Sequence, residues 1–354
     1  MKKRLLKQRM ILALMLLCGA ILFTLAGHRL AQEPLQLWIF GDPIQMPATQ
    51  DSNVSQTPAA QPPNIIGRDD VLFISPPQPL TSRIQLQPLS HEYIQTLTDF
   101  NYVTRNIFLV DPETILLPSD IDVHSFLAAD LTIDTTIQGP KVLIFHTHSA
   151  EMFIDSNPAY PMTGIMGVGQ YLAQVLAEQH GIETLHYMGR FDMLDGISHR
   201  PGSYERMEPA IRQILADNPS IQVVIDLHRD GVGAHHPAFM RYIDDIPTAQ
   251  LMFFNGLSRQ NRNGQAVNID RLPNPYQREN LNFSFRLQLA ANQLYPGLAR
   301  RVYLRAFRYS LHMTPLSTLV EVGNQHNTQQ QAKNAMYPLA NIISVVVLGS
   351  NVEH

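Results

Sequence analysis

From Pro140 onward the apolar positions switch between two rhythms, and the switching predicts the fold. Residues 141–145 form a short continuous apolar run, as expected of a strand covered on both faces. Val168, Tyr171, Leu172, Val175 and Leu176 then repeat at helical spacing, and Gly181 suits the left-handed end of that helix. A strand over 183–187 precedes a second helical stripe, Met207, Ala210, Ile211, Ile214 and Leu215. Ser203 is placed to cap that helix and Asn218-Pro219 to stop it. Residues 221–227, 249–254, 302–307 and 316–322 read as further strands, and 258–276 as a polar loop. Helices are expected over 277–294 and 328–348. Strands alternating one by one with amphipathic helices predict an α/β domain on an open, mostly parallel sheet flanked by helices. Such sheets bind ligands beyond the carboxyl ends of their strands.

Upstream the rhythm is lost. Residues 91–137 are mixed and give no clear elements. Residues 28–90 carry Pro-, Gln- and Ser/Thr-rich patches such as Gln61-Pro62-Pro63, which predict an extended stalk. The short apolar pieces at 35–40 and 71–74 could pair locally, but the plainer reading is loop within it. Residues 10–27 are 18 positions without a charge, preceded by Lys2, Lys3, Arg4, Lys7 and Arg9. As a helix this stretch would span about 27 Å, close to a bilayer's hydrocarbon core. It reads as a single transmembrane anchor, in preference to a cleaved signal peptide. The basic flank, residues 1–9, would then stay in the cytoplasm. The expected layout is a tail (1–9), an anchor (10–27), a stalk (28–90) and an extracytoplasmic folded domain (91–354, core about 138–350) at the cell membrane.

Composition narrows the chemistry. Hydrophobic residues make up 45% of 354, enough for a core and too many for wholesale disorder. Net charge is −4, and the basic N-terminus leaves the rest of the chain more acidic than that, which argues against nucleic acid as a partner. The single cysteine, Cys18, lies in the apolar N-terminal run, so any metal in the folded domain must be held by His, Asp or Glu.

Three predicted strand ends carry such residues. The first gives His146, His148 and Glu151, the second Asp226, His228, Arg229 and Asp230, and the third Glu321 between Val320 and Val322. Parallel strands would bring these ends to one edge. His148-x-x-Glu151 can grip one ion from a tight turn, and His228 completes a two-histidine, one-carboxylate set. That set leaves the fourth tetrahedral position for water, as in catalytic zinc sites. Glu321 is then the candidate proton shuttle, with its flanking valines expected to desolvate it. His146 and His148 are two residues apart and could share a face, so either could be the first ligand. His146, Arg229 and Asp230 are expected as supporting groups or alternative ligands. The plainer alternative pairs Glu321 with an arginine such as Arg229 or Arg305. His235 and His236 are expected at the rim, His312 and His326 near substrate, and His180, His186 and His199 on the surface.

The segments Pro140 to Glu151, Ile225 to Asp230 and Leu319 to Gly323 with Asn327-Thr328 resemble the stage II sporulation protein P family. Pro201 to Arg206, Arg278 to Leu281 and Tyr295 to Leu298 add to the resemblance, which covers about residues 125–350 in the same order. It implies a Zn2+-dependent peptidoglycan hydrolase similar in fold to the N-acetylmuramoyl-L-alanine amidases. The bond implied is the amide between the muramic-acid lactyl group and L-alanine, with cross-link cleavage also attributed to the family. A lytic transglycosylase and a membrane scaffold of forespore engulfment are the implied partners. On this resemblance His148, Glu151 and His228 fall on the metal positions and Glu321 on the catalytic acid/base. The competing expectations are a metallo-carboxypeptidase or endopeptidase of the stem peptide, and a non-catalytic wall-binding scaffold.

Overall fold

Continuous apolar runs become the centre of the sheet. The computed structural model describes residues 71–74 and 84–349. In chain order the strands begin with β1 (Val71–Ile74), β2 (Phe108–Val110), β3 (Val142–Phe145) and β4 (Thr184–Tyr187), then the paired β5 (Met193–Leu194) and β6 (Ile197–Ser198). They continue with β7 (Val223–Asp230), the paired β8 (Met240–Ile243) and β9 (Ile246–Ala249), and β10 (Leu251–Gly256). The paired β11 (Arg259–Arg262) and β12 (Gln265–Asn268) follow, then β13 (Ala299–Arg305) and β14 (Ser317–Asn324). Eight of these form one sheet in the order β1-β4-β3-β7-β14-β10-β13-β2. Its pairings are parallel except for β1 with β4 and β10 with β14, so the sheet is mostly parallel, as expected. The carboxyl ends of β3, β7 and β14 lie side by side.

Helices cover both faces, and the pleat decides which side chain meets which layer. Val142 and Ile144 of β3 and Val223, Ile225 and Leu227 of β7 join the larger core, together with the Ile165–His180, Gln277–Leu294 and Met336–Val347 helices. Leu143 and Phe145 alternate onto the other face. With Leu185, Tyr187 and Val224 they pack against Met207, Ala210, Ile211 and Ile214 of the Ser203–Asp217 helix. Gly181 ends the Ile165–His180 helix at φ 65°, the left-handed conformation expected there.

Several expectations are corrected. Residues 71–74 are a strand pairing antiparallel with β4, not loop. The unassigned stretch after residue 90 forms the His91–Thr98, Phe100–Asn106 and Val123–Ala128 helices and β2. Ser203 is the first residue of its helix and Gly202 (φ 73°) occupies the cap, so the Ser203 hydroxyl is used elsewhere. The polar loop at 258–276 contains the β11–β12 hairpin. The last helix starts as expected, where the Thr328 hydroxyl accepts from Gln331 N and the Gln331 side chain accepts from Thr328 N. It then breaks in two at Ala335, because Pro338 has no N–H to offer the carbonyl four residues back. The expected anchor at 10–27 lies outside the described residues. Among the described residues no helix is long and apolar enough to cross a membrane.

Candidate metal centre

β3 ends at Phe145, and two buried carboxylates shape the turn that follows. Asp226 on neighbouring β7 accepts from Thr147 N (2.9 Å) and Thr147 Oγ1 (2.7 Å). Asp192 accepts from Ser149 N (3.0 Å), Ser149 Oγ (2.6 Å) and Ala150 N (3.0 Å). Held this way, the turn carries His148 round to the face of the Ser203–Asp217 helix. There its Nε2 meets Ser203 Oγ at 3.1 Å, and its ring lies edge-on to Tyr204 with centroids 5.6 Å apart.

His146 stays on the opposite face. Its Nδ1 is 2.7 Å from Leu227 O, and its Nε2 is 2.9 Å from His186 Nε2. Gly169 makes room for this pair, since a Cβ there would come within 2.5 Å of His146 Nε2. Spacing by two places residues on one face only while the strand lasts, and here it ends before His146. Burial pulls His146 down to about 4, and it also lowers His186, with His146 adding to the effect. Both rings are therefore neutral near pH 7. His186, expected at the surface, is fully buried.

His148, Glu151 and His228 come together. One donor atom from each lies within 4.8 Å of the other two, and all three residues are buried. Glu151 Oε1 is 3.6 Å from His148 Nδ1, Glu151 Oε2 is 3.4 Å from His228 Nδ1, and the two imidazole centroids are 5.0 Å apart. His228 Nε2 is 2.7 Å from Asp226 Oδ1, so the same carboxylate that holds Thr147 also orients this ring. Glu151 further accepts from Arg200 Nη2 (3.2 Å) and Arg229 N (2.8 Å). Burial pulls His228 down, but Asp226 and Glu151 together outweigh it and leave His228 raised well above an ordinary imidazole. Burial pushes Glu151 up, yet His228, His148 and Arg200 hold it well below the usual carboxylate range.

Such a set fits zinc. Ligands about 2.0–2.2 Å from a tetrahedral ion lie about 3.4 Å from one another, close to the two separations from Glu151, and two nitrogens with one carboxylate oxygen suit that ion. The contact from His228 Nε2 to a carboxylate is the support that metal-binding histidines usually have.

Glu321 lies opposite His228 in the β14–β7 register and is 1% exposed. Its Oε2 is buried without a hydrogen-bond partner among the described residues. Burial first, and then Asp230, push its carboxyl well above the usual range. Val320 and Val322 point into the larger core on the other face, so the shielding comes from the sheet's surroundings and not from those valines. Neither arginine considered for Glu321 forms an ion pair with it. Arg305 pairs with Asp111 (3.0 Å) and Glu113 (3.1 Å), while the Arg229 side chain donates to Met152 O and Asp230 O. Asp230 is drawn away to Arg300 at 2.8 Å. His235 and His236 are exposed, and His312 is buried against Glu208 at 3.0 Å.

Sequence reasoning missed Asp192, Arg200 and Tyr204, and misplaced Ser203. The Asp226-x-His228 spacing was a usable signal, because alternate residues of one strand share a face. Asp192 gave none, since it reaches the turn from a loop beyond β4.

Comparison with known proteins places this geometry in context. The Bacillus subtilis (strain 168) stage II sporulation protein P is 23% identical over 225 residues, which cover 59% of this chain and 52% of that protein. The chain therefore spans about half the length of the curated relative it matches. Among solved structures, the N-acetylmuramoyl-L-alanine amidase AmiC2 of Nostoc punctiforme aligns at 14% identity with a TM-score of 0.34, over 60% of this chain and 97% of that one. The CwlD amidase from Clostridioides difficile, solved in complex with the GerS lipoprotein, aligns at 12% and 0.35, over 59% and 94%. These structural likenesses are too loose to argue from. The model of the stage II sporulation protein P (SpoIIP) family matches residues 85–344, a span holding the cluster and Glu321, and the chain belongs to that family.

Proposed function

We propose that this protein is a zinc-dependent peptidoglycan hydrolase of sporulation, cleaving the amide between N-acetylmuramic acid and L-alanine. The observation that carries the reading is the buried His148–Glu151–His228 cluster with a buried Glu321 carboxyl, its Oε2 unpaired among the described residues, across the strand pair from His228. His148, Glu151 and His228 would hold the metal. When bound, zinc supplies Lewis acidity toward a carbonyl and a positive field beside Glu321. In that field Glu321 would be held as the carboxylate, which can take a proton from the attacking water and, once protonated, deliver it to the leaving amide nitrogen. Asp226 keeps the His228 ring turned so that Nδ1 faces the cluster, and Arg200 and Arg229 N steady Glu151. Anchoring through residues 10–27, with the domain outside the membrane, would set the site against the wall. A lytic transglycosylase and a membrane scaffold are the proposed partners.

The full-length chain in detergent, loaded with zinc and given purified wall, tests the reading. Mass spectrometry is expected to show free stem peptides beginning with L-alanine and glycans with bare lactyl ends. Products cut only inside the stem peptide, or none at all with stoichiometric metal bound, would overturn it.

The support given by Asp226 makes a separate expectation. Asp226→Asn should weaken zinc binding about 10–100-fold, because the amide no longer offers a charged acceptor to His228 Nε2. Competition with a chelator of known affinity measures this, and an affinity within twofold of the parent would count against the arrangement.

A further inference from the structure

Tyr204 stands apart from the groups that already have work at the cluster. It follows Ser203 at the start of the Ser203–Asp217 helix, and the two neighbours hold His148 between them. Ser203 contacts Nε2, and the Tyr204 ring packs edge-on against the imidazole. On its far side the ring meets Tyr309, with centroids 5.4 Å apart, and Tyr309 in turn packs on Phe254 at 4.7 Å. The aromatic ring is thus fixed from two sides. Its hydroxyl oxygen is buried and makes no hydrogen bond among the described residues.

Glu321 Oε2 shares that condition. The two groups flank the cluster from different elements, Glu321 beside His228 on the sheet and Tyr204 beside His148 on the helix. A carboxyl can exchange a proton with substrate, whereas a phenol at neutral pH offers a hydrogen bond and keeps its proton. Amide hydrolysis needs both services, because negative charge builds on the carbonyl oxygen while a proton travels to nitrogen. A buried donor with no partner is also costly to keep, which points to a partner that arrives with the substrate.

We propose that the Tyr204 hydroxyl donates a hydrogen bond to the carbonyl oxygen of the lactyl–alanine amide as that oxygen becomes negatively charged. This role rests on the proposed amide hydrolysis at the cluster. It makes Tyr204 a catalytic residue that acts on the oxygen, while Glu321 acts on the proton.

Tyr204→Phe in the full-length, zinc-loaded protein is the test. The ring and its contacts to His148 and Tyr309 are kept and only the hydroxyl is lost. The expected result is a fall in kcat of about 10²–10³-fold, with KM within about threefold, since the bond strengthens in the transition state. Zinc content should be equal and the thermal midpoint unchanged or raised, because the hydroxyl holds nothing in the folded chain. Affinity for a phosphinate analogue of the muramoyl–alanine linkage should fall about as much as kcat/KM, which a merely structural hydroxyl would not cause. A kcat within threefold of the parent overturns the role. A wild-type structure with the phosphinate bound decides the matter even if the variant fails to fold. A Tyr204 hydroxyl within hydrogen-bonding distance of a phosphinyl oxygen supports the role, and one beyond about 3.5 Å overturns it. Inactivity of the wild type on muropeptides would instead sink the hydrolase reading, whereas an active wild type with an unimpaired Tyr204→Phe variant sinks only this role.

Discussion

Glu321→Gln is expected to lower wall hydrolysis by about 10²–10⁴-fold while leaving zinc content intact. Glutamine matches the carboxyl in size but cannot pass a proton from water to the leaving nitrogen. The substitution should also be tolerated by the fold. Glu321 is buried with Oε2 unpaired among the described residues, and burial already favours its neutral form, so a neutral amide adds no buried charge. Release of stem peptides from purified wall measures the effect, with metal analysis of the same preparation as the control. A variant keeping more than about a tenth of the parent's rate would remove Glu321 from the mechanism.

Arg305→Met should cost about 3–5 kcal/mol of stability, the range for removing one partner of a buried ion pair. Arg305 is 2% exposed and closes β13 against the turn after β2 through Asp111 and Glu113. Asp111 is buried too and also accepts from the Tyr303 hydroxyl. Without the guanidinium, the Asp111 charge is left inside the protein with only neutral donors, the Tyr303 hydroxyl and Glu113 N. Urea unfolding should show a lower midpoint at unchanged slope, and adding Asp111→Asn should recover part of the loss. A change below about 1 kcal/mol would mean that water reaches Asp111 more freely than its burial implies.

The central strands and the metal cluster were legible in the sequence because their signals are local. A continuous apolar run needs no partner to be recognised, and the residues of the cluster and Glu321 lie just after β3, on β7 and on β14. What was lost depended on distant partners. β1 is four apolar residues whose strand character comes from pairing with β4, more than 100 positions away. Asp192 reaches the His148 turn from a loop and leaves no mark in either rhythm. The choice between the two histidines stayed open for another reason. Their spacing by two allowed a shared face, but the strand stops at Phe145 and the two part to opposite faces. The small hairpins were signalled and overlooked. Asp195-Gly196 and Asn263-Gly264 all have positive φ, as does Asp244-Asp245, in the tight turns that join β5–β6, β11–β12 and β8–β9. Their flanking strands are too short and polar to show alternation.

The cluster's donors come from two places about 80 residues apart in the chain, the turn after β3 and the end of β7. Asp226 bridges both, holding Thr147 in the one and His228 in the other. Full coordination therefore cannot precede the pairing of β3 with β7, a long-range contact of the slow kind. On the proposed reading, metal uptake would report the completion of this pairing, in contrast to small zinc domains that fold around their ion. A chain whose sheet is still unpaired carries no assembled cluster, so the proposed hydrolysis and the native topology should appear together.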